Sequence, residues 1–184
     1  MKKTNLFLVL FLAILLISCG TSNYPFLATV DHVDIERYQG KWYEIARLPN
    51  SFQEDCFCTT AEYKIIDEST LSVVNACSED SINGELDEAT GQAFVVEGSN
   101  NAKLKVQFFW PFKGDYWIIE LDEQDYQYAV VGTPSRKYLW ILSRTPSISD
   151  SLYNDLKSRI SKKGFDTTKL IFSNLSCFKE ENEL

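Results

Sequence analysis

Gly40-Lys41-Trp42-Tyr43-Glu44-Ile45-Ala46-Arg47-Leu48-Pro49 sets the fold of this 184-residue chain. An aromatic and β-branched run between a glycine and a proline is a strand opened and closed by turn residues. From Cys56 onward, short runs of the same kind alternate with turn residues every eight to twelve positions. That spacing is the pattern of an antiparallel sandwich or barrel. Strands are predicted over 41–48, 57–66, 70–77, 87–97, 103–109, 115–122, 126–132 and 138–144. Asn83-Gly84 and Lys113-Gly114-Asp115 fall between runs, where glycine supplies the positive φ that tight turns need.

Period-two alternation assigns the faces. In 103–108 the apolar set is Leu104, Val106 and Phe108, with Lys103, Lys105 and Gln107 outward. In 117–122, Glu120 and Asp122 point out, which puts Trp117, Ile119 and Leu121 inside. The last strand, Tyr138 to Arg144, is apolar on both faces and needs cover on the outside. Ile148, Leu152, Leu156 and Ile160 recur at i+4 and supply it as a helix over about 149–163. Asp150 and Asp155 near its start, Lys162 and Lys163 near its end, and Gly164 after it suit the helix dipole and a glycine stop.

Met1 to Ser18 carry Lys2 and Lys3 ahead of the apolar run Leu6 to Ile17, the build of a secretory signal. The run is too short to span a bilayer, which takes about 20 apolar residues. Without residues 1–18, 16 basic side chains face 26 acidic ones, a net charge of −10. So acidic a chain is a poor partner for nucleic acid, whose phosphates attract lysine and arginine clusters. Cys56, Cys58, Cys77 and Cys177 form an even set in an exported chain and favour disulfides. Cys56 and Cys58 share one face of a strand and therefore take separate partners, which counting alone does not assign. A Cys-x-Cys metal site has only His32 to draw on for an imidazole, and no metal or cofactor is expected.

The chain resembles the lipocalins, carriers of small ligands, at three ordered motifs. Gly40-x-Trp42-Tyr43-Glu44-Ile45-Ala46-Arg47 resembles the first. Asp125-Tyr126 within Asp125 to Gly132 resembles the second, with Gln124 in place of the usual threonine. Tyr138 to Pro146 resembles the third, whose arginine is Arg144. Leu16-Ile17-Ser18-Cys19 is similar to the lipobox of bacterial lipoproteins, in which the cysteine becomes the lipidated N-terminus. Glycine rather than aspartate at position 20 favours the outer membrane by analogy with bacterial sorting. The likeness is to the outer-membrane lipoprotein branch, and Cys58-x4-Tyr63 is similar to apolipoprotein D-like members.

The resemblance implies an all-β fold, an eight-stranded antiparallel up-and-down barrel with one C-terminal helix packed outside. Residues 1–18 are then a signal peptide, 19–34 the lipidated cysteine and tether, 35–178 the barrel with its helix, and 179–184 a tail. It also implies a Cys58–Cys177 disulfide, and with it Cys56–Cys77 in the next hairpin. Gly40, Trp42, Asp125, Tyr126 and Arg144 become structural motif residues, with the Arg144 guanidinium over Trp42 closing one end. A cation–π contact of that kind contributes about 0.5–2 kcal/mol.

An eight-stranded barrel is either filled by its side chains or holds one small ligand. The inward residues proposed as ligand lining are Glu44, Ala46, Ala61, Tyr63, Leu104, Val106, Phe108, Trp117, Ile119, Ala129, Val131, Tyr138, Trp140 and Leu142. Several alanines among aromatics leave room, and the near absence of charge suits an acyl chain with its head group at the mouth. Phe108-Phe109-Trp110-Pro111-Phe112 makes an aromatic lip there, with Trp110 as a further ligand contact. The expected guest is a fatty acid or lysophospholipid, bound for storage, transport or membrane maintenance. The alternative is a non-binding structural or interaction lipoprotein of the cell envelope. A homodimer across the mouths is compatible with either. No enzyme is expected, because the single histidine, His32, lies in the tether and cannot join a triad in the barrel.

Overall fold

The computed structural model describes residues 25–178, so the signal segment, Cys19 and the tail 179–184 lie outside the described residues. Eight antiparallel strands follow in order: β1 (Gly40–Arg47), β2 (Cys56–Asp67), β3 (Thr70–Glu79), β4 (Leu86–Val95), β5 (Lys103–Gln107), β6 (Gly114–Leu121), β7 (Tyr128–Gly132) and β8 (Leu139–Ser143). Each pairs with the next, and β1 pairs with both β2 and β8, so the sheet closes. The result is an up-and-down barrel, in which every central strand finds both neighbours and no sheet edge is left along the main wall.

The chain enters along the outer wall, crosses one end in a single turn of helix, α1 (Ile35–Tyr38), and starts β1. The Asp34 side chain caps α1 by accepting from the amides of Glu36 and Arg37. The 48–55, 80–85, 108–113 and 133–138 connections therefore gather at the opposite end, the mouth. The helix α2 (Asp150–Lys162) begins at Ser149, whose hydroxyl accepts from the Leu152 amide. The tail adds a short strand, β9 (Ile171–Phe172), beside the mouth-side half of β1, where β2 has parted from it.

Apolar residues divide into two cores, one on each side of the wall. Inside the barrel lie Trp42, Tyr63, Leu71, Val73, Leu104, Ile118 and their neighbours. Outside, Ile45, Ile119, Val130 and Ile141 meet Leu156 and Ile160 of α2 and Phe165 beyond it. Glu120 fastens the helix, receiving Arg159 at 2.6 Å and Lys163 at 3.3 Å. Gly132 is required here, because a Cβ would stand 2.6 Å from the Phe165 ring. Disulfides join Cys56 to Cys77 across the β2–β3 hairpin and Cys58 to Cys177, tying the tail to the wall.

Candidate functional site

The closed end is built around Trp42. Its indole donates to the Tyr38 carbonyl at 2.8 Å, and the Arg144 guanidinium lies 3.7 Å from the ring centroid. Arg144 also donates to the carbonyls of Arg37, Tyr38, Gln39, Lys41 and Tyr126, so one side chain binds α1, β1 and the β6–β7 turn together. Gly40 sits beside it at φ +92, a left-handed conformation in which a Cβ would be strained and would also reach the guanidinium. Tyr126 is buried, accepts from the Asp34 amide and carries the Arg37 guanidinium on its ring. Asp125 is exposed, and the turn is held instead by Asp122, which accepts from the amides of Asp125 and Gln127. A polar cleft of about 340 Å³ between Asp31, His32, Arg37, Glu123 and Tyr126 lies on the surface here, outside the barrel.

Above this floor, Ala61, Tyr63, Leu104, Ala129, Val131 and Leu142 face one another in the inner core, with Val106, Phe108 and Trp140 packed against them and partly open. Three residues proposed as lining are not there. Trp117 and Ile119 face outward, under α2 and the tether, and Tyr116 and Ile118 take the inner positions. The cause is a bulge: Ile118 pairs with Val131 but Glu120 with Val130, so alternation counted back from Glu120 inverts. Ala46 is displaced in the same way, by an irregularity between Glu44 and Ala46 that turns it outward and Arg47 into its place.

The inward turn of Tyr116 assembles a group that the alternation did not reveal. Its hydroxyl lies 2.7 Å from that of Tyr38 and accepts from Tyr63 at 2.9 Å. Burial raises all three pKa values, that of Tyr63 to about 12 and those of Tyr38 and Tyr116 well above the ordinary value, so the hydroxyls stay protonated at neutral pH.

At the mouth, Glu44 is only 3% exposed and is fully engaged. It accepts from Arg47 at 2.9 Å, Gln53 at 2.8 Å and Ser173 at 2.5 Å. Gln53 in turn accepts from the Trp140 indole at 2.8 Å. Tyr138 stacks on Trp140, with Phe52 near both rings. Across the opening, Phe109, Trp110 and Phe112 stand in solvent, Trp110 at 86% exposure. Phe108, first of that stretch, turns inward against Gly91, where a Cβ would be 2.8 Å from its ring. Arg47, Gln53 and Phe52 were not singled out from sequence. Arg47 follows a bulge, and the other two belong to a connection without periodicity.

Chemically, the interior offers apolar area, a chain of neutral hydroxyls and one buried ion pair, Glu44–Arg47, in which the Arg47 Nε has no partner among the described residues. Among the described residues, no three His, Cys, Asp or Glu side chains gather to hold a metal.

Residues 33–174 match the lipocalin-like domain family. The chain is 42% identical over 144 residues to the outer membrane lipoprotein Blc of Vibrio cholerae, covering 78% of this chain and 83% of that one. It is 38% identical over 161 residues to the protein of that name in Escherichia coli K12, covering 87% and 90%. Insecticyanin from the tobacco hornworm Manduca sexta superposes with a TM-score of 0.68 at 23% identity, over 83% of this chain and 86% of that one. With its closed barrel, its Trp42–Arg144 floor and these relatives, the chain belongs to the lipocalin family.

Proposed function

We propose that this protein is a membrane-anchored carrier that takes one fatty acid or lysophospholipid into its barrel, for storage, transport or membrane maintenance. Binding rather than catalysis is its role. The observation that carries the reading is the inner wall above the floor. There Val106, Phe108 and Trp140 pack against the inner core yet stay only partly buried, so apolar surface is left open at the edge of that core. Each methylene buried against such a wall contributes about 0.8 kcal/mol, less the cost of ordering the chain, which supports micromolar affinity.

Anchoring through Cys19 at the bacterial outer membrane is the second part of the proposal, supported by the lipobox and by the names of the Vibrio and Escherichia relatives. The path of the tether supports an orientation too. Phe26 lies near Lys103, which stacks on Trp117 of the outer wall, whereas Val33 bonds Asn100 at the closed end. Traced backward from Val33, the chain leaves the closed end and runs onto the outer wall at Phe26, and the six residues from Pro25 to Cys19 reach at most about 20 Å. Lipid anchor and aromatic lip then meet one bilayer, into whose interface Trp and Phe partition.

Tyr38, Trp42, Tyr63 and Tyr116 fill the lower barrel and favour one other reading, a structural lipoprotein that binds nothing. Native mass spectrometry of the protein purified in detergent separates the two. A recurrent added mass the size of one lipid, restored by lysophospholipid after removal, is expected of the carrier. A bare mass that ignores added lysophospholipid and fatty acid overturns it.

A further inference from the structure

The three tyrosine hydroxyls deep in the barrel do not satisfy one another. Tyr116 stands in the middle, bonded to Tyr38 on α1 and to Tyr63 on β2. Three hydroxyls carry three protons, and two hydrogen bonds use two of them, whichever way each points. No other hydrogen bond to these oxygens is formed among the described residues. One O–H donor is therefore left over in an apolar interior, where an unmade hydrogen bond costs about 1–3 kcal/mol. Tyr63 donates to Tyr116, so the spare proton belongs to Tyr116 or Tyr38. Tyr116, at 7% exposure, is the least buried of the three.

We propose that the Tyr38–Tyr116–Tyr63 chain is a polar subsite that donates one hydrogen bond to an uncharged oxygen on the buried end of the guest. This rests on the carrier reading above and narrows it to lipids that carry a ketone, ester or ether oxygen away from the head group. A buried carboxylate is disfavoured there. The guanidinium nearest the subsite, Arg144, lies beyond Trp42 and is already held by five carbonyls. A carboxylate beside neutral hydroxyls alone would lose its hydration without a counter-charge. Ala61 and Tyr116 keep 9% and 7% exposure in the same core, and it is there that the guest's end would meet the hydroxyls.

The test compares palmitate with its analogue bearing a ketone on the carbon next to the terminal methyl, using the intact protein. An oxygen costs hydration on entry, so the informative quantity is the ratio of the two Kd values rather than either alone. In Tyr116→Phe the keto-to-parent Kd ratio should rise about tenfold, the size of one lost hydrogen bond in a buried site. The wild-type protein gives a second reading that needs no variant to fold. The infrared stretch of a carbon-13-labelled ketone should move below its frequency in hydrocarbon solvent when the guest is bound. If both acids bind but the ratio is unchanged and the stretch keeps its hydrocarbon frequency, the subsite is refuted while the carrier stands. If neither acid binds, the carrier reading fails and the subsite with it.

Discussion

At the scale of single residues, Arg144 and the buried tyrosines show how one side chain can organise several segments. Arg144 reaches carbonyls from α1, β1 and the β6–β7 turn while covering the Trp42 ring. Arg144→Ala removes the cation–π contact and orphans several of those carbonyls, a loss of about 3 kcal/mol in denaturant unfolding. Lysolipid affinity should hold, because the guanidinium lies below the floor; a fall in affinity at unchanged stability would refute this division of labour. The tyrosines set the alkaline limit. Tyr63 is pushed from its ordinary 10.0 to about 12 by burial, so folding favours the protonated form. Its contribution is complete below about pH 10 and is lost as the pH climbs through 12, where the unfolded chain releases the proton more readily. Ultraviolet titration should find Tyr38, Tyr63 and Tyr116 ionising last and together with unfolding. Their ionisation in a protein that still shows native circular dichroism would contradict the burial argument.

At the scale of elements, the helix and the lip do opposite jobs. α2 buries Leu156 and Ile160 completely against the outer face of β1, β7 and β8, so it acts as cover for strands with two apolar faces. Leu156→Ala leaves a cavity in that seam and should cost about 2–5 kcal/mol, read by thermal or denaturant melting. The 108–113 connection turns only Phe108 inward, partly buried, and leaves three large aromatics in water, which contributes nothing to stability. Trp110→Ala should therefore weaken lysolipid or fatty-acid binding severalfold while the melting temperature stays within about a degree, as for surface substitutions generally. Unchanged affinity for soluble lysolipid together with weaker binding to anionic vesicles would assign the lip to the membrane alone.

At the scale of the whole molecule, the Cys58–Cys177 bond spans 119 residues and the Cys56–Cys77 bond 21. On the chain-entropy account the longer loop restrains the unfolded state more, about 5 against about 3 kcal/mol. Replacing both cysteines of the longer bridge by serine should lower the melting temperature further than replacing both of the shorter. The reverse order would show that strain or residual structure dominates. The sequence by itself determined the eight strands and the helix after them, and its resemblance to the lipocalins implied the Trp42–Arg144 floor. Each of these rests on local signals: turn residues, short-range periodicity, and a motif read residue by residue. Its register failed at Ala46, Trp117 and Ile119, and it did not bring Tyr38 and Tyr116 to Tyr63. A bulge is a mismatch between two paired strands, and alternating apolar residues on both faces look the same in either phase. Only closure of the barrel, with one face committed to the lumen and the other to α2, decided which tyrosines meet inside and which tryptophans stay on the wall.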